Sequence, residues 1–305
     1  MVRKLVLLAI VATVVGLAIF WFVTIPGTVP ASALGAYQAN IDNGRAMFYA
    51  GGCASCHATP GQDDKLQLGG GLALHSPFGT FHAPNISPDP KAGIGSWTEQ
   101  HFVNAMLKGT SPGGSHYFPA FPYTSYRMMT LADVRDLFAY MKTLPAVQTA
   151  SRAHDVPFPF NVRRSLGGWK MLFFHDEPFK PDPTKSEQWN RGAYLVNGPG
   201  HCVECHSPRN FIGGIKAGQH FAGGPNPEGK GWVPNITQAR LKDWSEADFE
   251  SLLESGMTPE GDSVGSNMAP VVRNTSQLSP EDRAAMAVYL KSLAPVEGPK
   301  RPETK

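Results

Sequence analysis

The sequence contains little that a catalytic site could use. Its 305 residues include only four cysteines, all of them within two short pentapeptides, so neither a disulfide nor a spare thiol can be assigned. The 27 Lys and Arg residues balance 25 Asp and Glu residues and form no basic stripe, which argues against a nucleic-acid-binding surface. No Ser/His/Asp set, carboxylate pair or phosphate-binding loop stands out. We therefore predict no catalytic residue and no nucleic-acid partner.

The sequence does contain the pattern Cys-x-x-Cys-His twice. Residues 53–57 read Cys-Ala-Ser-Cys-His, and residues 202–206 read Cys-Val-Glu-Cys-His. This pattern is the attachment site of c-type haem, in which both thiols form thioethers and the adjacent histidine binds the iron. A zinc site made of two Cys-x-x-Cys pairs is the alternative, but the histidine that follows each pair favours haem. We predict two covalently bound haem c groups, attached through Cys53, Cys56, His57, Cys202, Cys205 and His206.

One long apolar run begins at Leu5 and ends at Val23, directly after two basic residues. As a helix, these 19 residues rise about 28 Å, close to the hydrocarbon thickness of a bilayer. The basic residues place the start of the run in the cytoplasm and the rest of the chain outside. We predict an uncleaved anchor in the bacterial inner membrane with the haem domains in the periplasm. The alternative is a signal peptide cleaved after Ala31-Ser32-Ala33.

The chain is an internal duplication. The first cysteines of the two motifs are separated by 149 positions (202 − 53), and residues 140–145 match residues 289–294 at the same offset. Apolar residues at helical spacing predict helices in each copy. One of them lies just before the haem motif, where Gly44 or Gly192 permits a close helix crossing. We place an anchor at 1–35, one domain at 36–147 and a second at 186–305. Residues 148–185, rich in proline and aromatic residues, are predicted to be a strap packed over both domains, with a partner-docking helix as the alternative.

A haem iron that carries electrons needs a second axial ligand, and methionine in this position raises the reduction potential. In the second copy we predict Met268, within a loop before the last helix, whereas Met257 and Met286 are interpreted as packing residues. The first copy has Phe121 at the matching position. We predict Met129 there, directly before the Thr130 helix cap, with Met128 as the alternative.

Bis-histidine ligation of the first haem, through His116 or His82, also remains open. The repeated Pro-Asn-Ile sequences contain Asn85 and Asn235, which are interpreted either as hydrogen-bonding residues near a haem propionate or as turn-forming residues.

The segments 190–210 and 118–126 resemble the cytochrome c subunits of bacterial membrane-bound dehydrogenases that act on alcohol, gluconate and aldehyde, and the resemblance extends from about residue 40 to residue 295. It implies an all-α fold of two tandem class I cytochrome c domains, which in this chain would follow the N-terminal transmembrane helix predicted from the apolar run. The alcohol dehydrogenase subunits carry three haems and a C-terminal membrane segment. This chain has two haem motifs and an apolar run at its other end.

The resemblance implies an electron carrier. It would accept electrons from a periplasmic dehydrogenase and pass them to the respiratory chain through a downstream cytochrome, a quinone or an oxidase. The alternative is a dihaem enzyme, such as a peroxidase or a thiosulfate-oxidising cytochrome, and a fixed subunit of a terminal oxidase is a third possibility. A peroxidase needs an open distal site, and thiosulfate oxidation needs a further cysteine, so distal methionines would favour the carrier.

Overall fold

The computed structural model describes residues 1–302 and begins with the apolar helix. Helix α1 (Val2–Val23) has a mean hydropathy of 2.8 over its most apolar 18 residues, and none of this window is buried. Its length and composition are those of a membrane-crossing helix, although a signal sequence has the same properties.

Two similar helical units follow, joined by a single helix. The first contains α2 (Ile41–Ala50), α3 (Cys53–His57), strands β1 (Ala73–Ser76) and β2 (Gly79–His82), α4 (Glu99–Lys108), α5 (Tyr123–Tyr126) and α6 (Leu131–Met141). Helix α7 (Ser165–Phe173) lies between the units. The second unit contains α8 (Glu187–Asn197), α9 (Cys202–His206), β3 (Gly224–Pro225), β4 (Trp232–Val233), α10 (Gln238–Leu241), α11 (Glu246–Ser255), α12 (Met268–Thr275) and α13 (Pro280–Lys291). We call the units domain 1 and domain 2; residues 303–305 of the predicted second domain lie outside the described residues.

In both domains the first helix crosses the last one at a glycine. Helix α2 packs on α6, and α8 packs on α13. A Cβ atom at Gly44 would lie 2.1 Å from the carbonyl oxygen of Asp136, and one at Gly192 would lie 1.8 Å from that of Ala285. Only a residue without a side chain allows such an approach of two backbones, so the predicted role of both glycines is confirmed.

Side chains cap the first turns of the main helices, and the predicted cap at Thr130 is among them. Thr98 and Ser245 each accept a hydrogen bond from the third residue of the following helix, in a capping box. Thr130 and Ser279 are the caps of the last helices, α6 and α13. The helices α4 and α11 end at Gly109 and Gly256, both in the left-handed conformation that glycine adopts without strain.

Both domains are mostly helical, but each also contains a short antiparallel β-ladder that the all-α expectation did not include. Strands β1 and β2 pair from Ala73 with His82 to Ser76 with Gly79. The pairing of β3 with β4 covers two residues on each strand. Strands this short carry too few alternating side chains to be distinguished from loop in a sequence.

Candidate functional site

Each Cys-x-x-Cys-His motif forms one short helix, α3 in domain 1 and α9 in domain 2. The two cysteines of a motif are three residues apart and therefore share a helix face, with the histidine at the end of the same turn. The Nδ1 atom of His57 lies 2.8 Å from the carbonyl oxygen of Pro84, and that of His206 lies 2.8 Å from the carbonyl oxygen of Pro234. Because a carbonyl only accepts, Nδ1 carries the proton in both rings, which leaves Nε2 with a free lone pair for a metal.

The electrostatics also suit metal ligation by a neutral imidazole. Burial lowers the pKa of both His57 and His206, more strongly than their hydrogen bonds to the proline carbonyls raise it. Within residues 1–302, no three His, Cys, Asp or Glu side chains converge on one point that could hold a metal ion. The two cysteine pairs therefore do not build the shared zinc site that was the alternative, and each motif fits a c-type haem by itself.

The two distal candidates of domain 1 lie in different surroundings. Met129 is 2% exposed and is part of the hydrophobic core, one residue before the Thr130 cap. The Cβ atom of Met128 lies 3.6 Å from the position of a Cβ at Gly198, and the carbonyl of Met128 accepts a hydrogen bond from Phe179. Met128 is thus directed towards domain 2, whereas Met129 remains in the interior of domain 1.

Met268, the candidate in domain 2, is the first residue of helix α12. The prediction of a loop at this position was wrong, because the apolar residues that follow it continue as helix and bury Val272 against the domain. The interpretation of the other two methionines is correct for Met286, which is 2% exposed, but wrong for Met257, which follows α11 and is 41% exposed.

The histidines considered for bis-histidine ligation have other partners. The Nε2 atom of His116 donates to the carbonyl oxygen of Thr24 at 2.8 Å, and that of His82 lies 3.0 Å from the Asp155 carboxylate. The amides of Asn85 and Asn235 are used within the fold, where they donate to the carbonyls of Val147 and Val296. Each also accepts from the backbone two residues later, which supports the turn-forming interpretation.

The two haem motifs lie next to each other. The carbonyl oxygen of Gly51, two residues before Cys53, accepts hydrogen bonds from Tyr126 at 3.2 Å and from Nε2 of His201 at 3.3 Å. The rings of Tyr126 and His201 meet edge to face, 5.5 Å apart. His201 directly precedes Cys202, so a single carbonyl connects the entrances of both motif helices.

A second contact joins domain 2 to the first motif. The amide of Asn274 in α12 donates to the hydroxyl of Ser55, inside the first motif, at 3.0 Å. As free thiols, before haem attachment, Cys56 and Cys205 have pKa values raised to about 11 and about 12, mainly by burial and to a smaller extent by the Glu228 carboxylate. Glu228 therefore lies near cysteines of both motifs.

Glu204, inside the second motif, joins the two domains, which its sequence position did not predict. It is 8% exposed, and its carboxylate accepts hydrogen bonds from Thr124 at 2.7 Å and from Ser125 at 2.8 Å, both in domain 1. Arg209 binds its other oxygen at 2.6 Å. Burial raises the pKa of Glu204, but the ion pair and the hydrogen bonds outweigh burial and lower it overall. A charged residue between two haem cysteines was the only signal in the sequence.

We expect Glu204→Gln to loosen the junction of the two domains. The change leaves Arg209 without its anion and weakens the hydrogen bonds from domain 1, and breaking a buried ion pair costs about 3–5 kcal/mol. Urea unfolding of the full chain in detergent measures the loss. Glu177→Gln is the control, because Glu177 and its partner Lys180 are 71% and 75% exposed, and such pairs contribute at most about 1 kcal/mol. Equal effects of both changes would contradict the structural role of Glu204.

Comparison with known proteins gives a consistent result for both domains. The sequence pattern of the cytochrome c family matches residues 41–145 and 190–294. A "Diheme cytochrome c-type" protein of Cereibacter sphaeroides is 52% identical over 256 residues, which are 83% of this chain and 86% of that protein.

Two further relatives are named as dehydrogenase subunits. A nicotinate dehydrogenase subunit of Pseudomonas putida is 41% identical over 84% of this chain, and the fructose dehydrogenase cytochrome subunit of Gluconobacter japonicus is 37% identical over 87% of it. The aligned part makes up 21% of the first and 54% of the second, so this chain spans only part of these two longer relatives.

Proposed function

We propose that this chain is a membrane-anchored electron carrier in the bacterial inner membrane. It belongs to the cytochrome c family and binds two haem c groups. It would take electrons from a periplasmic dehydrogenase and pass them to the respiratory chain. The observation that carries this proposal is the pair of motif helices, each with a proximal histidine whose Nδ1 is bound and whose Nε2 is free. Bound haem c supplies one-electron chemistry at its iron.

The residues proposed to hold the haems are divided equally between the domains. The thiols of Cys53, Cys56, Cys202 and Cys205 would form the thioethers, and His57 and His206 would be the proximal ligands. Met129 and Met268 are proposed as the distal ligands, and the burial of Met129 supports its choice over Met128, which is directed towards domain 2. Methionine on the distal side raises the reduction potential and leaves no open position for a substrate.

The contacts between the motifs support their action as one relay. Gly51, Tyr126 and His201 join the two motif entrances by hydrogen bonds, and Glu204 ties the second motif helix to α5. These contacts keep the two attachment sites in one fixed arrangement. An electron received at one site can therefore pass to the other without any diffusion of the domains.

The residues after α1 support an anchor that stays on the protein. Thr24 is 1% exposed and its carbonyl accepts from His116, while the carbonyl of Gly27 accepts from Thr110 at 2.8 Å. The backbone NH of Val29 donates to Asn104 at 2.8 Å. Cleavage after Ala33 would remove these three hydrogen bonds, each of which contributes about 0.5–1.5 kcal/mol, and would expose the surface that residues 24–29 cover.

The dehydrogenase partner is inferred from the relatives. Two of them carry names of dehydrogenase subunits, and the aligned part of each corresponds to nearly the whole of this chain. We propose that a dehydrogenase is the electron-donating partner of this chain. The acceptor would be a downstream cytochrome, a quinone or an oxidase.

We expect the purified chain to exchange electrons rapidly with small redox dyes and to turn over no alcohol, aldehyde, thiosulfate or peroxide by itself. If both distal positions are filled by methionine, no coordination site is open to substrate. Stopped-flow reduction and steady-state assays on the same preparation measure both properties. A substantial peroxidase or thiosulfate-oxidising rate, abolished by a change at Met129 or Met268, would replace the carrier by a dihaem enzyme.

A further inference from the structure

Helix α7 lies directly against the last turn of α1. A Cβ atom at Gly167 would lie 2.4 Å from the Cβ of Thr24, and one at Gly168 would lie 3.4 Å from the ring of Phe20. The guanidinium of Arg164 stacks 4.1 Å above the ring of Trp21. Because the two glycines have no side chains, α7 packs directly against the end of α1.

This contact determines where α7 lies relative to a membrane. The 22 residues of α1 rise about 33 Å, enough to span the hydrocarbon layer of about 30 Å, so Phe20 and Trp21 lie at its outer boundary. The nine residues of α7 extend about 13 Å from this point. Helix α7 therefore starts at the level where lipid headgroups meet the aqueous phase, and no part of it lies more than about 13 Å from that level.

The outward side of α7 carries exposed apolar side chains, and further exposed apolar residues lie near it. Met171 and Leu172 are 63% and 62% exposed, and Phe211, in a neighbouring turn of domain 2, is 90% exposed. Phe158 and Phe160 in the preceding segment are also exposed. Side chains of this size in water are unfavourable, and together they form a surface typical of an interaction site.

Direct contacts join these exposed residues into one surface. The indole NH of Trp169 in α7 donates to the carbonyl of Ile212, next to Phe211, at 3.0 Å. The rings of Phe78 and Phe160 meet at 5.2 Å, and a Cβ at Gly213 would lie 3.1 Å from Phe78. The surface thus includes residues of both domains, and α7, which is part of it, contacts the end of α1.

We propose that this surface, formed by Met171, Leu172, Phe211, Phe158 and Phe160, rests in the outer headgroup region of the lipid bilayer. The inference depends on the proposed membrane anchor. A bilayer is the occupant because the surface starts at Phe20 and Trp21, where lipid is already present, and because exposed aromatic side chains favour this interface. The surface would hold both haem domains in one orientation on the membrane.

Spin labels on the full chain in phosphatidylcholine vesicles test the proposal. The four native cysteines are proposed to be thioethers, so Leu172→Cys, Phe211→Cys and Ala247→Cys would each add one free thiol. Ala247 is an exposed residue of α11, a helix that packs on α12 and α13, and is the control. We expect labels at 172 and 211 to be several-fold less accessible to a water-soluble nickel chelate, and more accessible to oxygen, than the label at 247.

The other outcomes separate the two proposals. If all three labels are in water while the chain resists carbonate extraction, the surface proposal is wrong and the anchor remains. If carbonate releases the chain, the proposed anchor is wrong, and with it the basis of the inference. Labels at 172 and 211 that are shielded from both the nickel chelate and oxygen would indicate a protein partner on this surface instead of lipid.

Discussion

Gly192→Ala is expected to destabilise domain 2 strongly, although alanine favours helices. In an exposed helix this change stabilises by about 1 kcal/mol. Here the new methyl group would lie 1.8 Å from the carbonyl oxygen of Ala285, in the backbone of α13, which cannot rotate away as a side chain can. Separating α8 from α13 opens the domain core, so we expect a loss above about 3 kcal/mol.

Thermal unfolding of the full chain in detergent measures this effect. For a domain of this size, about 3 kcal/mol corresponds to a decrease in Tm of more than about 12 °C. Gly44→Ala should destabilise domain 1 in the same way, because its methyl group would lie 2.1 Å from the Asp136 oxygen. Gly265→Ala is the matched control, since a Cβ there has no neighbour within 4 Å. An unchanged or higher Tm for Gly192→Ala would show that the helices do not cross as described.

Met268→Leu and Met129→Leu are each expected to remove one of two distal sulfur ligands. Leucine nearly conserves the volume of methionine, so the fold should lose less than about 1.5 kcal/mol. The oxidised protein should show a sulfur-to-iron charge-transfer band from both haems, and each variant should lose one contribution. The reduction potential of the affected haem should fall, because methionine ligation raises it.

Two other methionines provide the controls for this experiment. Met286→Leu changes a buried residue of α13 that we interpret as core, so the band should remain intact. Met128→Leu tests the alternative ligand in domain 1. If Met128→Leu removes the band of the first haem and Met129→Leu does not, the assignment in domain 1 must be exchanged.

The haem motifs, the duplication and the Thr130 helix cap could all be predicted from the sequence because each depends on a few neighbouring residues or on a direct repeat. A Cys-x-x-Cys-His pentapeptide contains all the chemical groups that attach a haem on its proximal side. The side chain of Thr130 binds the backbone only three residues later. The two glycines were predictable because each lies in the helix just before its motif, nine residues before Cys53 in one copy and ten before Cys202 in the other.

Other features depended on contacts between residues far apart in the sequence. Glu204 differs from a solvated surface glutamate only because Thr124 and Ser125, about 80 positions earlier, donate to it. The start of a helix at Met268, instead of the predicted loop, depends on the burial of Val272 in the folded domain. The apolar composition of α1 predicted a membrane helix, but not that Thr24 and Gly167 would fasten it to α7. The sequence by itself therefore determined the chemistry and the repeated plan of this protein, since both are local. Only the tertiary structure decided how the two haem motifs meet and which helix packs against the end of α1, because both depend on long-range packing.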